Sequence, residues 1–324
     1  MRRWVLVLVT VLVLAPLGVG MFVGYTYCTQ DAGEDTLSDC LNDTAVNMYR
    51  TAWGSSDGHS SDGTSTSKEE TKTFYSKALD QTIKYEIYLP PGYDDRSYSS
   101  VRYPVVYLLP GSSGSSTVWM KGGDIPEQMD TLLAQGKVRP MILVSPQERP
   151  GSHTVKGTGY VDGPLGNWAT YTSQDLVDEI DSNYRTIQSK DGRAIAGNSE
   201  GAYGAMNLGL KNPSKYGVIG SFSGYFTIDK RDLSRIFEGD QSLADANSPM
   251  LYLPQLEGDL PAIYLLIGQD EKYLEENSKF AEELKDRGAS VNFETFPGSH
   301  SWDLWGAHVP DFLMYTSEHL TGGQ

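Results

Sequence analysis

Gly197-Asn198-Ser199-Glu200-Gly201 is the stretch whose residue types and spacing point most directly to chemistry. It is a G-x-S-x-G pattern set between a short apolar run, Ala194-Ile195-Ala196, and a helix-forming run from Glu200 to Lys211. A serine so placed sits on a sharp strand-to-helix turn, in a sparsely allowed backbone region. The residues two before and two after it must then lack side chains that would clash, and Gly197 and Gly201 meet that need. The turn is expected to push the Ser199 hydroxyl out over the sheet edge. It also aims the helix N-terminus and the Glu200 N–H at negative charge developing there.

A serine hydroxyl is a poor nucleophile at neutral pH and needs a base held in one tautomer by an acid. The histidines are His59, His153, His300, His308 and His319. His59 falls in a polar stretch, His319 lies just before a terminal Gly-Gly, and His308 falls inside the last predicted helix. His153, in a Gly-rich loop, is the serious rival to His300. His300 follows the last predicted strand in Phe296-Pro297-Gly298-Ser299-His300, at the strand ends where Ser199 also lies. Asp270 ends Leu265-Leu266-Ile267-Gly268-Gln269-Asp270 and is the expected acid, with the adjacent Glu271 able to serve instead. The order Ser199, Asp270, His300 is the chain order expected for such a site. A second oxyanion donor is expected from the Ser112 N–H, in the loop after the apolar run Val105 to Leu109.

The elements that must carry these residues follow from periodicity. Lys84–Leu89 alternates as a strand, while Val105–Leu109 and Met141–Val144 read as strands buried on both faces. Ala194–Ala196, Val218–Phe222, Ala262–Ile267 and Val291–Phe296 complete the set. Helices are predicted over Asp124–Gln135, Thr172–Tyr184, Glu200–Lys211, Leu274–Arg287 and from Trp302 onward. Strands alternating with helices imply an α/β fold, a mostly parallel central sheet with helices on both faces. Ligands in such sheets bind beyond the carboxyl ends of the strands.

The chain has 324 residues, with 26 Lys+Arg against 42 Asp+Glu and a formal net charge of -16. So acidic a chain repels phosphate backbones, which excludes nucleic acid as a natural partner. The two cysteines cannot supply an all-cysteine zinc site or an iron–sulfur cluster. The proposed chemistry needs no metal or cofactor. Arg2 and Arg3 precede an apolar run from Trp4 to Val23. Residues 1–27 read as a cleaved signal peptide or an uncleaved membrane anchor, and both place the remaining chain outside the cytoplasm. In that oxidising compartment Cys28 and Cys40 could pair or stay free. Residues 28–73, rich in Ser, Gly, Asp and Thr from Thr51 onward, read as a flexible tether. The catalytic domain is expected over residues 74–324.

Several stretches resemble, in order, the putative-esterase (esterase D) family of α/β-hydrolases. They are YEIYLPPGYDD, YPVVYLLPGSSG, GNWATYTSQDLVDEIDSNYRT, AIAGNSEGAYGAMNLGLKNP, GSFSGYF, LIGQDEKY and GSHSWDLW. The resemblance covers Tyr85 to about Leu313 and extends to feruloyl and acetyl esterases, S-formylglutathione hydrolases and mycolyltransferases. It implies an α/β-hydrolase fold with Ser199 as nucleophile, Asp270 as acid, His300 as base, and the Ser112 and Glu200 amides as oxyanion donors. Two positions depart from the pattern. Pro110 stands where many relatives have His or Asp, and Glu200 where many have Met or Gln. A carboxylate at residue 200 would repel an oxyanion if it pointed inward, so it is expected to point away. Trp168 and Tyr225 are candidate substrate contacts, with packing roles equally open to both.

The sequence therefore leads to a serine carboxylic-ester hydrolase working through an acyl-enzyme on an extracytoplasmic ester, small or carbohydrate-linked. An uncleaved N-terminal segment would make the membrane its other partner. The alternatives are an acyltransferase of the mycolyltransferase type on the same fold, and a non-catalytic carbohydrate-binding surface protein.

Overall fold

A computed structural model describes residues 4–15, 18–29, 66–112, 115–148 and 157–321. Near the N-terminus, β1 (Trp4–Ala15) and β2 (Gly18–Thr29) pair antiparallel. Among the described residues no helix is long and apolar enough to cross a membrane. Cys40, His59 and His153 lie outside the described residues, and with them any Cys28–Cys40 pairing.

The rest is built on an eight-stranded sheet. Its strands are β3 (Lys68–Ser76), β4 (Gln81–Leu89), β5 (Val105–Leu109), β6 (Ile142–Pro146), β9 (Arg193–Asn198), β10 (Val218–Phe222), β11 (Ala262–Gly268) and β12 (Val291–Phe296). Two short strands, β7 (Asp162–Gly163) and β8 (Gly166–Asn167), form a separate ladder. The sheet order is β12-β11-β10-β9-β5-β6-β4-β3. From β6 to β12 every pairing is parallel, and β4 and β3 add an antiparallel edge.

Side-chain alternation divides the core into two layers. Val105, Tyr107 and Leu109 of β5 join Ile195, Ile219 and Leu265 on one face. Val106 and Leu108 join Ala194, Ala196, Phe222 and Leu266 on the other. The first face is covered by the helices Leu176–Asn183, Glu200–Lys211 and Leu274–Asp286, through Ile180, Leu208 and Phe280. The second is covered by Ile125–Ala134, Trp302–Ala307 and Val309–His319, through Met129, Leu304 and Phe312. Strands apolar on both faces are what this double cover requires.

Three expectations are corrected. Polar composition places Lys68–Thr73 in a tether, yet Lys68–Ser76 is the edge strand paired with β4. Most of its side chains stay exposed, so its place in the sheet rests on backbone hydrogen bonds rather than apolar burial. The final helix divides at His308, because Pro310 in the first turn of Val309–His319 cannot continue a preceding helix. The predicted Thr172–Tyr184 helix begins earlier, at Trp168, and passes through a π-helical segment, Tyr171–Asp175. There the Thr172 and Ser173 hydroxyls donate to the Trp168 and Ala169 carbonyls.

The register aligns the carboxyl ends of the central strands. Leu109 pairs with Gly197, Gly197 with Ser221, and Ser221 with Leu265. A side chain on Gly201 would place its Cβ 2.1 Å from the Leu109 carbonyl oxygen. Gly201→Ala therefore forces the end of β5 to move, and is expected to lower unfolding stability by roughly 1–3 kcal/mol or more. Gly306→Ala is the contrast. Its Cβ meets nothing nearer than 3.9 Å, within a helix, so it should be neutral or mildly stabilising. Urea unfolding of the two variants checks this.

Candidate active site

Five loops beyond the strand ends build the site. The loop after β9 carries Ser199, whose φ is 56° and ψ -120°. A non-glycine residue there is strained by roughly 1–3 kcal/mol. The surroundings fix it. Its N–H donates to Phe222 O at 2.9 Å, and its carbonyl accepts from the Ala202 N–H at 3.0 Å. A Cβ on Gly197 would lie 2.2 Å from Gly201 backbone atoms, so the tight approach needs glycine at both positions.

His300, after β12, brings Nε2 to 2.8 Å from Ser199 Oγ. Its Nδ1 lies 2.7 Å from Glu271 Oε2. The carboxylate accepts from Nδ1–H, which leaves Nε2 as the acceptor facing the serine. The Nε2–Oγ contact suits proton transfer, and the Nδ1–Glu271 contact fixes the tautomer. The Trp305 indole stands edge-on to the imidazole, with ring centroids 4.9 Å apart.

The carboxylate at His300 belongs to Glu271, which corrects the expectation of Asp270. Residues Gly268 to Glu271 make a turn closed by the Glu271 N–H on Gly268 O. In that turn the Asp270 side chain is exposed and its N–H donates to Gly298 O. The Glu271 side chain is 3% exposed. It accepts further from Ser223 Oγ at 2.5 Å and from the Gly268 N–H at 3.0 Å. Burial alone would push this carboxyl up. Hydrogen bonds from His300, Ser223 and Gly268, with the nearby His300 charge, outweigh it and hold the carboxyl below the usual glutamate range.

Ser223 is a residue that sequence reasoning overlooked. It follows β10 at φ 57°, donates to Glu271 and accepts from Trp305 Nε1–H at 2.8 Å. The signal was there in Phe222-Ser223-Gly224, a small polar pair directly after a buried strand.

Gly111 and Ser112 close the site from β5. A Cβ on Gly111 would lie 3.2 Å from Ser199 Cβ, so this backbone runs against the nucleophile. Ser112 lines the same cleft as Ser199 and His300. Glu200 opens the Glu200–Lys211 helix, where the first amides lack acceptors within the helix. Its carboxylate points away, as expected: Oε2 pairs with Arg235 Nη2 at 2.6 Å and Oε1 accepts from the Gly159 N–H at 2.8 Å.

The cleft is about 670 Å³. Tyr225, Tyr273 and Trp302 give it aromatic walls, and Arg231 and Lys272 reach its rim. Tyr225 stacks on Tyr203 at 5.1 Å and keeps 7% of its surface exposed. Trp168 is not part of the cleft. It is 1% exposed, packs edge-on against Tyr171 and donates its indole N–H to Leu165 O, so its role is core packing.

A serine, an imidazole and a carboxylate joined in line, at the carboxyl edge of a doubly covered parallel sheet, define an α/β-hydrolase. Residues 76–316 match the family described as "Putative esterase", and the chain belongs to that family. It is a carboxylic ester hydrolase. An acetyl esterase of Caldicellulosiruptor saccharolyticus is 25% identical over 271 residues, 76% of this chain and 96% of that one. An endo-1,4-beta-xylanase/feruloyl esterase of Xylanibacter ruminicola is 31% identical over 161 residues, 47% of this chain and 21% of that enzyme. Among solved structures, a ferulic acid esterase superposes with a TM-score of 0.72 at 27% identity, covering 79% of this chain and 99% of its own. An S-formylglutathione hydrolase from Agrobacterium tumefaciens shares the fold, with a TM-score of 0.67 at 19% identity over 81% of this chain and 99% of its own.

Glu271→Gln should lower kcat roughly 10³–10⁴-fold, as loss of the orienting acid does in serine triads. Asp270→Asn should leave kcat within about 3-fold, a small change for a side chain turned to solvent. The Glu271 contribution to stability is complete above the ordinary carboxyl range and is lost as pH falls through its lower folded value. Acid unfolding curves of Glu271→Gln should therefore lack that component of the wild-type pH dependence.

Proposed function

We propose that the protein cleaves its ester through an acyl-enzyme formed on Ser199. The observation that carries this reading is the unbroken line Ser199 Oγ, His300 Nε2, His300 Nδ1, Glu271 Oε2, with contacts of 2.8 and 2.7 Å. His300 takes the hydroxyl proton as Oγ bonds to the ester carbonyl carbon. The carbonyl oxygen becomes an oxyanion, met by the Glu200 and Ser112 amides. The tetrahedral adduct collapses, the alcohol leaves with the proton from His300, and the acyl group stays on Ser199. Water then repeats the sequence: His300 takes its proton, hydroxide adds to the acyl carbon, and Ser199 departs with the proton. Glu271 holds the imidazole in one tautomer and stabilises its charged form.

The names of the relatives, acetyl esterase and feruloyl esterase, support a substrate whose acyl group is short or aromatic. The Tyr225, Tyr273 and Trp302 walls suit a flat acyl or alcohol portion. The substrate lies outside the cytoplasm on this reading, supported by Arg2 and Arg3 ahead of the apolar run to Val23.

Ser199→Ala should lower kcat on p-nitrophenyl acetate and methyl ferulate by about 10⁴-fold or more. It should also abolish labelling by a fluorophosphonate, and unchanged turnover would refute the mechanism. An added alcohol that outcompetes water for the acyl group would favour transfer over hydrolysis. For the location, protease added to intact expressing cells should remove the catalytic domain; protection equal to that of a cytoplasmic control would overturn the assignment.

A further inference from the structure

Tyr160 is a fully buried aromatic residue at φ 54°, in the left-handed region that L side chains rarely adopt. Its flanks bend the same way, with Gly157 at φ 74° and Gly159 at φ 64°. Strain in a bulky residue persists only where the surroundings over-determine it, and it gathers at functional sites. Here the surroundings belong to the nucleophile elbow. The Gly159 N–H donates to Glu200 Oε1. A Cβ on Gly157 would lie 2.1 Å from the same oxygen, and one on Gly204 would lie 2.4 Å from Tyr160 Cδ2. The segment 157–160 thus lies flat against the Glu200 carboxylate and the first turns of its helix.

The hydroxyl of Tyr160 leaves that helix and donates to Pro110 O at 2.7 Å. This carbonyl begins the peptide that leads to Gly111 and Ser112. The same oxygen would be 2.6 Å from a Cβ on Gly201, so it sits tight against the elbow. One four-residue segment therefore touches both sources of the oxyanion amides. It holds the Glu200 side chain through Gly159 and the Pro110–Ser112 loop through Tyr160.

We propose that Tyr160 is a positioning residue for the oxyanion site, its hydroxyl holding the Pro110–Ser112 loop so that the Ser112 amide stays aligned with that of Glu200. The assignment rests on the reaction proposed above. Tyr160 is fully buried behind the cleft wall and acts through the Pro110 carbonyl. The hydrogen bond lies wholly within the protein, so its benefit appears as preorganised geometry in the transition state.

Tyr160→Phe removes the oxygen and keeps the ring against Gly204. With p-nitrophenyl acetate it should lower kcat about 10-fold while KM stays within 2-fold, because the misaligned donor serves the transition state rather than the bound ester. Affinity for phenylboronic acid, whose tetrahedral Ser199 adduct places an oxygen among the same amides, should fall by a similar factor. Tyr216→Phe is the control for loss of a buried hydroxyl elsewhere, and should keep wild-type kcat. Gly204→Ala, which displaces the ring and keeps the hydroxyl, is the second variant and should show the same kcat-only loss. Assays run well below each variant's Tm separate alignment from unfolding. Wild-type kcat and boronate affinity in folded Tyr160→Phe would overturn the assignment of Tyr160 while leaving the reaction intact. A wild-type protein unable to hydrolyse any ester would overturn the reaction and this inference with it.

Discussion

The site depends on one strained residue. Ser199 can face the cleft only because its backbone is held at φ 56°, and the chain spends two glycines and several close approaches to keep it there. A side chain at residue 197 would strike the start of the helix, and one at residue 201 would strike the end of β5. The same packing that forbids those side chains draws the Leu109–Gly111 backbone against the nucleophile. Strain, close approach and the placement of the proposed oxyanion donors are thus one constraint seen from three sides. Parallel strands supply the rest. Their ends fall at one edge, so loops far apart in sequence deliver Ser199, Ser223, Glu271 and His300 to a single cleft.

Charge is managed locally, against the trend of a chain with a net charge of -16. Two carboxylates lie within a residue or one hydrogen bond of the Ser199 and His300 pair, and the proposed reaction forms an oxyanion beside them. Glu200 is neutralised by Arg235 and turned into the protein, so its charge is kept away from the site. Glu271 is surrounded by donors from His300, Ser223 and Gly268. A buried carboxylate so satisfied stays ionised, and in the proposed reaction its field favours the positive imidazole.

The meeting of Ser199 with His300 and the central strands were legible in the chain. Each is written into short contiguous patterns: a glycine two places either side of Ser199, continuous apolar runs for buried strands, a Pro-Gly loop before His300. Lys68–Ser76 was not legible, because an exposed edge strand is specified by the partner backbone of β4 rather than by its own side chains. Trp168 stayed open between cleft and core for a related reason. A tryptophan near site loops reads alike whether it faces a cleft or a core, and only packing against Tyr171 settles which.

The sequence by itself determined that a serine would be forced out on a sharp turn after a buried strand, and that a histidine would follow the last strand. These are local consequences of sterics and periodicity, which act over a few residues. Only the tertiary structure decided that Glu271, not Asp270, meets His300. Neighbouring residues of a tight turn point in different directions, and which one faces inward is set by contacts across the sheet edge: Asp270 N–H to Gly298, and the Glu271 carboxylate to Ser223. It likewise decided that Tyr160 reaches the Pro110 carbonyl, a contact between loops fifty positions apart that neither loop's own sequence encodes.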